Sequence, residues 1–298
     1  MKNPKVAIVV ATYNQEELLV DCLKSLEKTK YSNYKIFFVD DTGKNIGGRI
    51  KKRFNVELIT TKGSSGQSRV WNEGIKRALG WNFDYVLLID DDTEFVNKNW
   101  LSELVKVGES DKRIGLIGCK LIYADGSMQH VGGYIRGWRI TRESNYPNKV
   151  FEVDHVMGCF MLIKREVIDK IGLVDEIYTP YLLEETDYCI KIKKNRFKIV
   201  TVPYVEVIHK KSKTINTQTN SKKMFVRFKN DIIFSRRHLK PKDRLFRLFV
   251  YLPLVAIFRK RKDEDSLELK SFRLRKEFLI NLKLLAKAFY YVNSRELK

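Results

Sequence analysis

Tyr85–Asp92, YVLLIDDD, is the stretch on which the reading of the fold turns: an unbroken apolar run that ends in three adjacent carboxylates. A run of this kind is the pattern of a strand covered on both faces, as in a parallel sheet flanked by helices. It recurs at Lys5–Ala11 (KVAIVVA) and Tyr34–Val39 (YKIFFV), and Val56–Thr60 reads as a further strand. Helical periodicity lies between them. Leu18, Leu19, Cys22, Leu23 and Leu26 follow Asn14-Gln15-Glu16-Glu17, which reads as an N-cap with a glutamate three residues on. A second helix, from about Ser68 to Leu79, buries Val70, Trp71, Ile75 and Ala78. Strands alternating with helices imply right-handed crossovers and a mainly parallel sheet. The expected fold class is α/β.

In open sheets of this class, ligands bind outside the carboxyl ends of the strands. The polar groups expected there are Thr12-Tyr13-Asn14, Asp40-Asp41 and Asp90-Asp91-Asp92. A nucleotide site is the natural inference. No G-x-G-x-x-G follows the first strand and no G-x-x-x-x-G-K-[ST] occurs, so neither the dinucleotide fingerprint nor a P-loop is indicated. Three adjacent carboxylates repel one another, and burying them without a cation is costly. The alternative is a solvated acidic turn capping the next helix; the place of the triplet, at the end of a strongly apolar strand, favours a ligand. Asp90 and Asp92 share a face of the strand end. One can reach a ribose and the other a divalent cation, and hard oxygen donors with a diphosphate suit Mg²⁺ or Mn²⁺.

The whole chain has 298 residues, with 57 Lys+Arg against 36 Asp+Glu and a formal charge of +21. Its four cysteines, Cys22, Cys119, Cys159 and Cys189, form no C-x-x-C pair, which argues against a disulfide framework or thiolate zinc site and suits a reducing compartment. Met1–Pro4 leads directly into a strand without a signal-peptide core, so a cytoplasmic location is expected. The charge is uneven. Lys211–Lys298 holds 24 basic and 8 acidic residues, a net of +16, whereas the first 210 residues carry a net of +5. The basic region is also apolar: Leu248–Phe258 (LFVYLPLVAIF) lies between Arg244 and Arg247 on one side and Arg259-Lys260-Arg261-Lys262 on the other. This run is far short of the roughly 20 residues of a membrane-spanning helix. Phe278, Leu282, Leu285 and Phe289 recur at helical spacing among Lys276, Lys283 and Lys287. Two regions are expected, 1–212 and a basic amphipathic helical 213–298. The latter would lie peripherally on the anionic inner face of the cell membrane. Packing of its apolar faces on the main domain is the competing reading. Nucleic acid ranks third and is not expected as a partner, because no recognised motif accompanies the charge.

The segments IVVATYNQEELLVDCLKSL, FVDDTG, GSSGQSRVWNEGIKRAL and YVLLIDDDTEF together resemble the family 2 glycosyltransferases. GCFMLIKREVIDKIGLVDE, YLLEETDYCIKIKKNRFKIVTVP and VEVIHKK extend the likeness to rhamnosyltransferase-like and galactofuranosyltransferase-like bacterial members, over about residues 5 to 212. The resemblance implies an inverting enzyme of the GT-A fold whose D-x-D motif binds the metal and diphosphate of a nucleotide-sugar. By that resemblance Thr12, Tyr13 and Asn14 line the nucleotide, and Asp40 accepts the N3–H of a uracil or thymine base. Gly66, Arg69 and Asn72 lie near the diphosphate or the helix that frames it. Asp90 and Asp92 form the D-x-D pair around Asp91, with Asp92 on the metal and His209 a further metal ligand. At the position of the base the family usually shows Glu-Asp-x-Asp, where this chain has Glu184-Glu185-Thr186-Asp187. Glu185 therefore takes the catalytic place, with Glu184 in reserve and Asp187 supporting.

The activity implied is transfer of a sugar, rhamnose favoured, from a UDP- or dTDP-sugar to a hydroxyl of a glycan or lipid-linked acceptor in cell-surface polysaccharide synthesis. A homodimer stays open. The rival readings are a non-catalytic basic scaffold and a metal-dependent nucleotidyltransferase. The latter would want a Gly-rich, basic loop where this chain has Tyr13-Asn14-Gln15-Glu16.

Overall fold

Four strands, Val6–Thr12 (β1), Tyr34–Asp40 (β2), Val56–Thr60 (β3) and Tyr85–Asp90 (β4), pair in parallel in the order β3-β2-β1-β4. They are joined through the helices Glu16–Glu27 (α1), Gly47–Arg53 (α2) and Gln67–Leu79 (α3). The structure, a computed structural model, describes residues 3–13, 15–210, 220–258 and 270–294, the side chains of 220, 258 and 270–278 excepted. The expected cap Asn14 lies outside the described residues. The residue before α1 is Gln15, whose side chain does not cap the helix.

The chain continues through Thr93–Phe95 (β5), Trp100–Ser110 (α4), Ile114–Ile122 (β6), Met128–His130 (β7), Gly133–Arg136 (β8) and Arg139–Arg142 (β9). Phe151–Glu152 (β10), Phe160–Lys164 (β11), Arg165–Ile171 (α5), Glu184–Lys194 (α6) and Lys198–His209 (β12) follow. The sheet extends past β4 as β11-β6-β12-β10, with β11 antiparallel to both its neighbours and β12 parallel to β6. Short β5 and β7 add antiparallel to β12 and β6, while β8 and β9 form a separate ribbon.

The continuous apolar strands arise because alternate residues serve two cores. Val6, Ile8 and Val10 pack with Leu19, Cys22, Leu23 and Leu26 of α1 and with Trp100, Leu101 and Leu104 of α4. Ala7 and Val9 face the other way, toward Val70, Trp71, Ile75 and Ala78 of α3 and Tyr188, Cys189 and Ile192 of α6. Register brings the polar strand ends together. Thr12 is paired with Asp40, Ala11 with Asp90 and Asp40 with Thr60, so all four strands finish on one edge.

Two compact units are distinguished, Met1–Ile135 with Ile140–Ser212, and Arg136–Arg139 with Lys213–Lys298. The second contains Asn220–His238 (α7), a long helix α8 and Lys270–Ser294 (α9). Helix α8 runs on through Pro241–Phe246, a π turn at Arg247–Tyr251 and Leu252–Phe258. Pro253 supplies no N–H and its ring crowds the preceding turn; the wider turn, in which Leu252 N–H bonds Arg247 O, relieves this. Beneath α8, Arg247 pairs with buried Asp231 of α7, donates to Trp138 O and lies over the rings of Phe234 and Tyr251. Among the described residues no helix is long and apolar enough to cross a membrane.

Candidate active site

At the end of β4 the three aspartates take three different environments. Asp91 turns back toward β1, where the Thr12 hydroxyl donates to it. Burial, and then the charges of Asp92 and Asp90, raise its carboxyl well above the ordinary range. Asp90 accepts a hydrogen bond from Gln67 Nε2 at 3.0 Å. Burial and the neighbouring Asp92 push the Asp90 carboxyl up to about 6, against His209 and Gln67, which favour its charged form. Asp92 is only 1% exposed, and its Oδ1 lies against His209.

His209 meets Asp92 through sheet pairing. β5 lies antiparallel to the end of β12 with Thr93 opposite His209, and Lys210 N–H donates to Asp92 O at 2.9 Å. His209 Nε2 comes 3.2 Å from Asp92 Oδ1, while Nδ1 lies 2.8 Å from Gln129 Oε1. With Nδ1–H donating to Gln129, Nε2 is the nitrogen that would offer a metal its lone pair once its proton is released. Burial alone would lower the imidazole; Cys159 and Asp92 outweigh it and push His209 up to about 11. The Cys159 thiol is itself pushed up to about 12 by burial. One ligand atom each from Asp90, Asp92 and His209 falls within 4.8 Å of the others. A single octahedral cation with bonds of about 2.1 Å spans a similar distance between opposite ligands. Two carboxylates and an imidazole that converge in this way fit a divalent ion.

Glu185 stands in the first turn of α6, half-buried, where Thr186 Oγ1 donates to its Oε1 at 3.1 Å. Burial raises its carboxyl, opposed by its own N–H and by His155. Its charge is also felt by Asp90, so the two carboxylates share one neighbourhood. The turn before α6 has Leu182 and Leu183 at φ +79° and +73°, a conformation that costs a β-carbon residue roughly 1–2 kcal/mol each. Gly158 is the second device here: a Cβ on it would sit 2.9 Å from Trp71 Cη2 and 3.4 Å from Glu185 Cβ. Glu184 is buried in the same turn. Asp187 is fully buried, accepts the Tyr178 hydroxyl at 3.0 Å and pairs with Lys191 at 2.8 Å. It braces α6 from below.

The other residues singled out from the sequence order the loops around this cluster. Asp40 is fully buried; its Oδ1 accepts from Thr42 N–H and Oγ1, and its Oδ2 from Gly47 N–H. Asp41 similarly holds Ser65 N–H and the Thr61 hydroxyl. Tyr13 is exposed at the strand edge, its hydroxyl accepting from Ser64 Oγ at 3.2 Å. Asn72 bonds both the N–H and the carbonyl of Val174, and with Arg69 it engages Glu176. Gly66, at φ +91°, lets the start of α3 abut Thr179 and Pro180, and Gln67 N–H donates to Pro180 O. That contact aims the Gln67 side chain at Asp90.

Gln67, Gln129 and Cys159 were not anticipated from the sequence. Gln67 had a signal, the glycine-rich turn immediately before a helix. Gln129 had none, because it reaches His209 only through the turn at Asp125-Gly126, where Asp125 accepts from Ser127.

The sequence profile described as glycosyl transferase family 2 matches residues 7–172, more than half of the chain. The chain belongs to glycosyl transferase family 2. Among relatives, the O-antigen biosynthesis protein RfbC of Myxococcus xanthus is 22% identical over 70% of this chain, which spans 17% of that protein. Protein y4gI of Sinorhizobium fredii is 25% identical over 80% of this chain, which spans 28% of it. The low-salt glycan biosynthesis hexosyltransferase Agl10 of Haloferax volcanii is 22% identical over 77% of this chain and 75% of its own length. The mannosyltransferase PcManGT of Pyrobaculum calidifontis, solved with GDP-Man and Mn²⁺, superimposes with a TM-score of 0.60 at 14% identity, over 100% of this chain and 89% of its own. The α/β architecture of this family 2 glycosyltransferase is thus the GT-A fold.

Proposed function

We propose that this family 2 glycosyltransferase moves a sugar from a nucleoside diphosphate donor to a hydroxyl of a glycan or lipid-linked acceptor, with inversion, in surface polysaccharide synthesis. The observation that carries the reading is the convergence of one ligand atom each from Asp90, buried Asp92 and His209 within 4.8 Å of one another. Asp90, Asp92 and His209 would hold a Mg²⁺ or Mn²⁺ ion, which when bound neutralises charge developing on the leaving diphosphate. Glu185 removes the proton from the attacking hydroxyl. Its raised carboxyl suits that task, because a general base works best when its affinity for protons approaches the ambient level. Gln67 fixes the orientation of Asp90, and Asp187 holds the helix that presents Glu185. The nucleoside would lie over the edge formed by Thr12, Tyr13 and the loop that Asp40 orders, with Arg69 and Asn72 supporting the wall beyond α3.

UDP- and dTDP-sugars come first as donors, rhamnose favoured by the resemblance of the second half. The name of the neighbour PcManGT carries GDP-Man, and that of another, TarS of Staphylococcus aureus, carries UDP-GlcNAc. A screen of nucleotide-sugar hydrolysis and thermal shift with and without Mn²⁺ tests the proposal. Metal-dependent stabilisation by one nucleotide-sugar supports it; indifference to all of them, in the presence of metal, rejects it.

A further inference from the structure

Leu248–Phe258 reads in the sequence as one undivided apolar run, but the structure splits it between two faces of α8. Leu248, Leu252 and Ala256 point inward and are buried. Leu245, Phe249, Val250, Leu254 and Ile257 point outward, with Leu245 57% and Leu254 46% exposed. This spacing makes a single stripe along a helix about 27 Å long at 1.5 Å per residue. Within it Phe249 also stacks on Phe289 of α9, ring centroids 6.3 Å apart. α8 is fastened from its other side by the Arg247–Asp231 pair, by Trp138 against Phe246 and Tyr251, and by Asn281 Nδ2 donating to Ala256 O. Contiguous exposed apolar surface of this kind marks an interaction site.

We propose that the outward stripe of α8 is an interfacial docking face for an anionic lipid bilayer. Charge selects the occupant. Residues 211–298 carry a net of +16, and exposed Lys240 and Lys242 stand at the start of the striped helix. On the neighbouring α9, exposed Leu279 and Tyr290 alternate with exposed Lys283 and Lys287. An apolar stripe bordered by cations matches a layer whose headgroups are negative and whose interior is hydrocarbon. A second copy of the chain would bring an equal positive charge against the first. A soluble polyanion would satisfy the lysines and leave five apolar side chains in water. The inference is independent of the glycosyl-transfer reading, since it concerns neither donor nor metal.

The test is flotation of the full-length protein with vesicles of phosphatidylcholine, with or without about 30 mol% phosphatidylglycerol, at about 0.1 and about 0.5 M salt. The comparison protein carries Leu245→Glu and Leu254→Glu, its fold checked by circular dichroism and by unchanged thermal unfolding without lipid. Wild-type protein is expected to float with the anionic vesicles, and the double variant to lose at least about tenfold in partition at either salt. Three results overturn the proposal: equal flotation of the folded variant, which assigns binding to the basic residues alone; no preference of the wild type for anionic vesicles; or a wild-type dimer in sedimentation that the variant converts to monomer without any lipid binding.

Discussion

Gln129 Oε1 lies 2.8 Å from His209 Nδ1, and this contact decides which nitrogen of the imidazole is offered to Asp92 and a metal. An outer partner of this kind fixes ring orientation and typically accounts for about 10- to 100-fold in metal affinity. Gln129→Leu is expected to weaken Mn²⁺ binding by that factor with the fold intact. Calorimetric titration of Mn²⁺ in the presence of nucleotide measures it, and unchanged affinity would remove Gln129 from the site.

Protons compete with the cation at two of its three ligands. In the metal-free protein Asp90 holds its proton up to about 6 and His209 up to about 11. Both values are raised, so metal affinity should increase with pH, steeply through about 6 as Asp90 ionises, and binding near neutrality should release the His209 proton. For the same reason a raised Asp90 stabilises the metal-free fold at low pH and loses that contribution as pH rises through about 6. Titrations in two buffers of different ionisation enthalpy count the protons released. A flat affinity from about pH 5 to about pH 8 would contradict the assignment of Asp90.

Two carboxylates on the same helix turn should fail in different ways. Glu185→Gln is expected to lower turnover by about 10²–10⁴-fold with donor affinity and unfolding temperature nearly unchanged. Asp187→Ala removes an acceptor of the buried Tyr178 hydroxyl and one of the two carboxylates paired with Lys191, and should cost about 1–3 kcal/mol of stability. Denaturant unfolding and single-turnover kinetics on both variants separate the roles. The assignment of the base fails if Glu185→Gln turns over normally.

Gly66→Ala probes the wall of the site. A Cβ there would meet Thr179 Cγ2 at 2.7 Å and Pro180 Cα at 3.0 Å, on backbone at φ +91°. A loss of about 1 kcal/mol or more is expected. Donor affinity should fall with it, because displacement of the α3 start carries Gln67 away from Asp90. Thermal unfolding read alongside nucleotide titration shows whether both fall together.

The parallel half of the sheet was legible because β1, β2 and β4 are buried on both faces and α3 keeps strict helical periodicity. The strand-end aspartates followed from that topology. What stayed hidden depends on long-range pairing. Asp92 meets His209 only because three residues of β5 add to the far end of β12, and so short a strand has no periodicity to read. The turn that presents Glu185 uses two leucines at positive φ, where the sequence offers no glycine to announce it. The bonds from Thr42 and Gly47 to Asp40 are local turn chemistry visible only once the loop is built.

The second unit keeps Arg247, Asp231 and Asn281 in its interior beside Phe228, Phe234, Leu252 and Leu285, and leaves Leu245, Leu254 and Ile257 on its exterior. Its cohesion and its outward chemistry are therefore carried by separate sets of side chains. A designer could rewrite Leu245, Leu254 and Ile257 on the exterior of α8 without redesigning either the bundle beneath or the reaction centre.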